Sequence, residues 1–468
     1  MHYNKHFLFS GLFPARHLLA ILAFGLISAR AHSQQGGKAY LDSLLNTATR
    51  NYPLVKAKHL QTQGLQYAVK LQQNSIIPSL NASYQLDYAT SNNITGMIYP
   101  QYITPISGPP SKSNDYAGTP GSAIALNLYW EPFTFGQRGA AVELAKGRLQ
   151  NGKADETLTI FQHRVFVINA WLNYQLTADL VKVYQSNIDR DAYHLKQSQA
   201  VVSSGLRPGT DSSTFHAELA KAQIQLIAIE RQRDSCLIVL KELVGGTLPG
   251  KPIADSAMFK SLPIDLPEIE NVEHPEIALQ KTNVLNNELS LKTYKSSLLP
   301  KLTIWSVGYG RGSGIAADGS VNNSDGLRFE RYNYGIGAQV SFPILEIFRQ
   351  KPQFKQQELN IASSREQLAQ TELHLNSQLE IAGSALMKAI QAARLAPEQL
   401  KAARFAYQAI QSRYQSGLIS YYDVIQSLQL LYQSEAAVKI AYWGAWKSLL
   451  NKAAYQGNLG VFLNQYGK

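Results

Sequence analysis

The stretch Pro78-Ser79-Leu80-Asn81-Ala82-Ser83-Tyr84-Gln85-Leu86-Asp87-Tyr88 decides the fold, because the hydrophobic period of the chain changes on it. Leu80, Ala82, Tyr84, Leu86 and Tyr88 alternate with Asn81, Ser83, Gln85 and Asp87, which predicts a strand with one apolar and one polar face. Upstream, from Tyr40 to Ile77, apolar residues recur at three and four, the spacing of an amphipathic helix. Pro78 ends that helix, since proline cannot donate to the helical ladder and pushes its predecessor toward extended geometry.

The same change recurs downstream. Glu268 to Leu299 has helical spacing, Pro300 closes it, and Thr303 to Gly310 alternates less cleanly through Trp305, Val307 and Tyr309. Two further alternating segments follow the same rule. Ile124, Leu126, Leu128 and Trp130 form one, and Tyr334, Ile336, Ala338, Val340 and Phe342, set against Asn333, Gly335, Gly337, Gln339 and Ser341, form the other. Each of the four is about the ~9–11 residues that a tilted strand needs to cross a bilayer. They come as two pairs, with Thr90 to Gly121 and Gly312 to Tyr332 as long loops rich in Gly, Ser, Asn and Pro, which suit the outer face of an outer-membrane barrel. A soluble sandwich hairpin is the competing reading. Against it stand the Tyr and Trp content of the strand faces and the helical pattern of nearly everything else. Four strands cannot close a barrel, and open edges are not tolerated in lipid, so the protomer has to assemble with copies of itself.

The chain repeats itself. Tyr52-Pro53-Leu54-Val55 recurs as His274-Pro275-Glu276-Ile277, and Ile77-Pro78-Ser79-Leu80 as Leu299-Pro300-Lys301-Leu302, both at an offset of 222. Pro132 to Arg138 recurs as Pro343 to Arg349 at 211, and Gly205-Leu206 with Asp211 recurs as Gly417-Leu418 with Asp423 at 212. The order of matches is kept, which is the mark of duplication rather than of several independent domains. The expected organisation is a signal peptide over 1–31, a first repeat over 32–250 and a second over 251–468, with the junction in the Gly- and Pro-rich stretch from Gly245 to Pro267.

Residues 1–31 carry Lys5, Arg16 and His17, then an apolar run from Leu18 to Ile27, then Ala29-Arg30-Ala31, the parts of a secretory signal peptide. Losing Lys5, Arg16 and Arg30 lowers the formal charge from +11 to +8. The remaining Lys and Arg are scattered among Gln, Ala and Leu, so they read as solvated helix faces and not as a nucleic-acid patch. Of the 468 residues, 45% are hydrophobic and 16% charged, against roughly 25% charged in ordinary soluble proteins, so part of the surface is uncharged. The single cysteine, Cys236, excludes a disulfide scaffold, and after residue 31 no apolar run is long enough for a spanning helix.

Between the strand pairs and the Gly-Leu motifs lie the longest helical patterns, Arg138 to Ser204 and Arg349 to Ser416. At ~1.5 Å per residue each could reach roughly 100 Å. Leu359, Leu368, Leu373, Leu375, Leu379 and Leu386, interleaved with Gln, Glu, Ser and Ala, predict lateral packing on other helices. Pro397 predicts a kink, or a break with a restart; the matching position in the first half is Gln185. Gly205 and Gly417 stand where a left-handed residue would end each long helix, and Asp211 and Asp423 stand where a carboxylate would cap the next.

With Tyr414-Gln415-Ser416-Gly417-Leu418-Ile419-Ser420-Tyr421-Tyr422-Asp423-Val424-Ile425 added, the chain resembles the TolC family of outer-membrane efflux proteins over nearly its whole mature length. The resemblance implies an α+β membrane protein: a homotrimer with four strands per protomer, a twelve-stranded barrel, and an antiparallel α-helical tunnel continuing through the periplasm. It also implies a periplasmic adaptor and an inner-membrane transporter as partners, and passive conduction with no cofactor. A constriction at the helix ends is implied for Asp211, Tyr414, Thr210 and Asp423, while Gln426 and Ile419 replace a second pore aspartate and a tethering arginine. Gly205, Leu206, Gly417 and Leu418 match the tips that meet the adaptor. The rival reading is a secreted coiled-coil interaction or structural protein with a small β-domain.

Enzyme chemistry has no foothold in the sequence. The ten histidines include no His-Glu-x-x-His, no phosphate-binding Gly-x-x-x-x-Gly-Lys exists, and Gly308, Gly310, Gly312 and Gly314 miss dinucleotide spacing. Cys236 on a helical pattern reads as a small buried hydrophobe, and Asp189 and Asp191 read as solvated charge.

Overall fold

A computed structural model describes residues 36–94, 110–204, 209–252, 256–265 and 273–466. The expected signal peptide, Gly205 and Leu206 lie outside them. Contacts divide the chain into two compact units, one of Met1–Gln61, Lys153–Lys281 and Gln367–Lys468, the other of Thr62–Gly152 and Thr282–Glu366. In chain order the elements are α1 (Gly36–Asn51), α2 (Pro53–Gln73), β1 (Ser79–Ala89), β2 (Thr119–Phe133), α3 (Gln137–Ser203) and α4 (Gly209–Leu243). The second half follows with α5 (Pro275–Ser296), β3 (Lys301–Ser313), β4 (Arg331–Ser341), α6 (Glu346–Gln415), α7 (Tyr421–Tyr455) and α8 (Gly460–Leu463).

The strands form one antiparallel sheet in the order β1-β2-β3-β4, so the two hairpins join through β2 and β3. Directly opposed residues share a face. Tyr84 opposes Ile124, Ile124 opposes Gly310, and Gly310 opposes Tyr332, which sets the apolar face across all four strands. That face is bare in the protomer: Tyr334 is 90% exposed, Tyr88 76% and Ile336 75%. β1 and β4 have no strand on their outer sides among the described residues.

The register corrects one feature of the sequence pattern. Trp305, Val307 and Tyr309, the larger residues of β3, oppose Gly337, Gly335 and Asn333, and so belong to the polar face. The apolar face of β3 carries Ser306, Gly308 and Gly310 instead, and the less clean alternation follows from this inversion. Aromatic rings occupy the space that the glycines leave. A Cβ on Gly337 would lie 2.6 Å from the Trp305 indole, and one on Gly310 would lie 2.9 Å from the Tyr332 ring. The glycines are required by close approach here, not by backbone angle.

At the helix-proximal end of the sheet, Trp130 Nε1 donates to the carbonyl of Ile76 at 2.7 Å, tying β2 to the turn before β1. Thr134 Oγ1 accepts from the Arg138 amide at 3.1 Å and so caps α3, while the Arg138 guanidinium donates to the carbonyls of Glu131 and Pro132. This accounts for the Pro-to-Arg spacing in the first half. In the second half the equivalent Arg349 pairs with Glu346 on its own helix.

Two helix boundaries differ from expectation. The pattern from Tyr40 to Ile77 is two helices, α1 and α2, because Pro53 takes the first position of the second, where its missing N–H costs nothing. Pro397 neither breaks nor restarts its helix: α6 runs unbroken for 70 residues. The turns around it are held by burial of Leu386, Ile390, Ala393 and Ala396. The companion α3 has 67 residues.

The main core sits in the first unit. Leu41, Leu44 and Leu45 of α1 meet Ile168, Trp171 and Leu172 of α3, Trp446, Leu449 and Leu450 of α7, and Phe462 of α8. The ring N–H groups of its two fully buried tryptophans are satisfied: Trp171 Nε1 donates to the Tyr466 hydroxyl at 2.9 Å, and Trp446 Nε1 to the carbonyl of Met258 at 2.9 Å. Cys236 is half-buried against this core, where burial pushes its thiol up. Among the described residues no helix is long and apolar enough to cross a membrane.

Gly337→Ala should cost ~1–3 kcal/mol, the usual penalty of overpacking. The expected readout is a lower thermal unfolding midpoint by circular dichroism in detergent, recovered when Trp305→Leu is added. An unchanged midpoint would mean that the indole moves aside freely.

Candidate functional site at the helix tips

The loop between α6 and α7 is built from backbone hydrogen bonds. The Leu418 amide donates to the carbonyl of Arg413 at 3.0 Å and the Gly417 amide to that of Tyr414 at 2.9 Å, the paired bonds of a Schellman ending. Gly417 has φ of +76°, the left-handed value this ending needs. Leu418 beyond it is 70% exposed. The new helix opens at Ser420, not at Asp423. Asp423 sits three residues inside, where its Oδ2 accepts from the Ser420 amide at 3.1 Å and from the Ser420 hydroxyl at 2.8 Å, closing a capping box.

The other sequence-derived residues separate into buried and exposed. Tyr414 is buried with Val424 and Leu428 in a small apolar cluster that Ile410, Ile419 and Tyr421 border. Asp211 is buried in the first turn of α4, and Phe215, one turn on, is fully buried. Thr210 is exposed, and so is Gln426, whose side-chain amide donates to the Tyr422 hydroxyl at 3.0 Å.

Below the tips lies a polar seam that the sequence reading missed. Asn187, Asp191, His194 and Ser198 fall on one face of α3, and all four are buried. The signal was their spacing of four, three and four, the helical repeat carried by polar residues. Asp191 is therefore not a solvated charge. Its Oδ1 accepts from the Tyr432 hydroxyl of α7 at 2.8 Å, and burial pushes its carboxyl up to about 6, more than this bond pulls it down. Burial and the neighbouring Asp191 push the Tyr432 phenol up in turn. Asp189 remains exposed beside Gln185.

His194 Nε2 shares a 2.7 Å hydrogen bond with the Tyr407 hydroxyl of α6, and its ring stacks on Phe215 with centroids 5.7 Å apart. Phe215 in turn approaches Tyr421 at 6.2 Å. Burial holds His194 below its usual value, so the ring is neutral near pH 7. Arg190 donates to both carboxylate oxygens of Glu435 at 2.8 Å, and Asp179 accepts from Lys439 at 2.5 Å. These charge-assisted contacts join α3 to α7 at two levels. The arrangement contains no nucleophile–base pair, and among the described residues no group of His, Cys, Asp or Glu could hold a metal ion.

A sheet with a bare apolar face, joined in one chain to helices of 67 and 70 residues, the second with a capped tip, is the architecture expected of an outer-membrane protein with a long helical extension. Residues 44–246 and 273–456 match the outer membrane efflux protein family, and the chain belongs to it. It is 24% identical over 418 residues to the pyoverdine export outer membrane protein OpmQ of Pseudomonas aeruginosa, covering 86% of this chain and 82% of that one. Among solved structures, the channel-forming CusC superposes with a TM-score of 0.72 at 13% identity over 90% of this chain and 92% of that one. The outer membrane protein VceC of Vibrio cholerae gives 0.69 at 15% identity over 91% and 99%. The fold is thus that of the TolC-like channels, and the protein is an outer-membrane protein of the efflux class.

The raised Asp191 carboxyl has a signed consequence. Between the ordinary value of 3.8 and about 6 the folded state holds the extra proton, so the contribution of Asp191 to stability falls as pH rises through that window and is level above it, opposite in sign to the buried histidines. The size is ~3 kcal/mol. Chemical denaturation in detergent from pH 4 to pH 8 should show this slope as the difference between the parent protein and Asp191→Asn. Identical pH profiles in the two would place its origin elsewhere.

Proposed function

We propose that the protein is the outer-membrane channel of a tripartite efflux or secretion system, conducting substrates passively from an inner-membrane transporter and a periplasmic adaptor to the exterior. The observation that carries this reading is the sheet: four strands with two unpaired outer edges and an exposed apolar face. In lipid those edges have to be paired, and three copies supply the twelve strands of a closed barrel. The two sequence halves are then two structural repeats, each giving one hairpin and one long helix to the assembly, and the helices continue the barrel as a tunnel. Family membership in the outer membrane efflux proteins sets aside the secreted coiled-coil reading. No step of this function makes or breaks a covalent bond.

At the entrance, Asp211, Tyr414, Thr210, Asp423 and Gln426 form the constriction in this proposal. Three copies place one ring of carboxylates at the Asp423 level, with Gln426 neutral where a second ring could stand. The burial of Asp211 and Tyr414 supports a role in holding helices together, and the partial exposure of Asp423 supports a role facing the passage. The exposed Leu418, with Gly417, and the corresponding Leu206 and Gly205 in the first half, are the surface offered to the adaptor.

Single-channel recording in planar bilayers tests the constriction. Asp423→Asn and Tyr414→Phe should each raise conductance about two-fold or more, and the first should weaken block by divalent cations, as expected of a lost charge ring. Unchanged conductance in both variants would remove these residues from the gate. A preparation that stays soluble and elongated without detergent would overturn the channel itself.

A further inference from the structure

The polar face of the sheet ends, on the loop side, in a charge arrangement that folding does not call for. Arg311 of β3 and Arg331 of β4 are directly opposed in the register and therefore share this face. Like charges in that position destabilise a strand pair. Both are exposed, and neither forms an ion pair among the described residues; Arg331 donates to the carbonyl of Glu330. Glu330, whose amide donates to the Arg311 carbonyl at 3.1 Å, makes no ion pair with either arginine among the described residues, and two other carboxylates of this end are engaged otherwise. Asp87 lies two strands away in the register and accepts from the Gln85 amide at 2.9 and 2.8 Å, while Asp318 accepts from the amide and hydroxyl of Ser320 at 2.9 and 2.7 Å.

Two residues down β3, at ~7 Å by strand rise, Tyr309 stands on the same face. Its cross-strand neighbours are Ala125 and Asn333, and the neighbour of Arg311 on β2 is Ala123. Small residues thus leave one flank of the phenol and of the guanidinium open. Further down the same face, Trp305 is 40% exposed and Tyr129, directly opposite it, 46%. An aromatic residue one pleat repeat (~7 Å along the strand) from Arg311 and diagonal to Arg331 on the same face matches a ligand with a flat ring and an acid group a few ångströms from it.

We propose that Tyr309, Arg311 and Arg331 form a transient binding site for aromatic anions. The occupant is a solute and not a lipid headgroup, because the site lies on the face opposite to Tyr84, Ile124 and Tyr334. The inference rests on the barrel reading, in which the polar face lines the exit. In that setting the site receives the acid group of a departing molecule at the loop end of the passage, and the exposed Trp305 and Tyr129 offer a ring surface on the way.

The test uses the full protein in planar bilayers, with anthraquinone-2-sulfonate as probe and methanesulfonate as its non-aromatic control. The aromatic sulfonate should block current saturably from the loop side, at least ~10-fold more tightly than methanesulfonate, the scale of a ring contact added to a charge-assisted one. Tyr309→Leu should bring the two anions together. The double variant Arg311→Gln with Arg331→Gln should lose ~10-fold or more for the aromatic probe, with the pore still conducting. Equal block by the two anions in the parent, or undiminished block in the double arginine variant, overturns the site. Absence of a conducting pore in the parent overturns the channel reading and the site with it, whereas normal conductance without block overturns the site alone. Cysteine placed by Arg311→Cys should react with a charged aqueous thiol reagent at the rate of a pore position; failure to react would put the residue outside the passage.

Discussion

Inside a bilayer an unpaired backbone N–H has no water to turn to, and both outer edges of the β1-β2-β3-β4 sheet are lined with such groups. The rest of the design follows from that constraint. A sheet of 11, 15, 13 and 11 residues per strand is long enough to cross but too narrow to close. Its apolar face is largely uncovered within the protomer and is left to lipid, while in the proposed assembly the open edges are paired by copies of the same chain. The helices carry the complementary burden: low charge and abundant Ala and Gln let neighbours approach closely without a conventional globular core. One compact apolar core does exist, around Trp171 and Trp446, and it gathers α1, α3, α7 and α8 in a single unit.

The helix tips show how few residues set a local geometry. Gly417 ends one helix and Ser420 with Asp423 starts the next, all within seven positions. Asp423 spends both of its described hydrogen bonds inside its own first turn, which fixes the carboxylate to α7 rather than to a neighbouring helix. The polar seam beneath has the opposite character. Asp191 with Tyr432, His194 with Tyr407, and Arg190 with Glu435 are all contacts between helices, made where water is largely excluded. Such pairs are costly to leave half-made, so they favour one register of α3 against α6 and α7 over its alternatives.

Much of the fold was legible because period and punctuation are strong signals. Pro78 and Pro300 mark the switch from helix to strand, and the expected long helices agree with α3 and α6 to within three residues at each end. What failed did so for identifiable reasons. Trp305, Val307 and Tyr309 look like the apolar side of a strand until the register puts Gly308 and Gly310 on the apolar face, with Gly310 under the Tyr332 ring; aromatic cover of glycine is a tertiary effect that no alternation rule contains. Asp191 looked solvated because single carboxylates usually are, and its partner Tyr432 is 241 residues away. The capping role at Asp423 was legible in kind, while its position in the turn depended on Ser420. The tip residues themselves were found through resemblance, since nothing in their spacing distinguishes a gate from an ordinary helix end.

Pro397 in the unbroken α6 carries a mechanical implication. Proline has no N–H, so the carbonyl of Ala393 lacks its usual partner one turn later, and the helix at that point is one backbone hydrogen bond short. Its counterpart α3 has Gln185 at the matching position and a complete ladder there. Two rods of nearly equal length therefore differ by one backbone hydrogen bond, and the turn about eighteen residues before the tip of α6 is where bending should cost least.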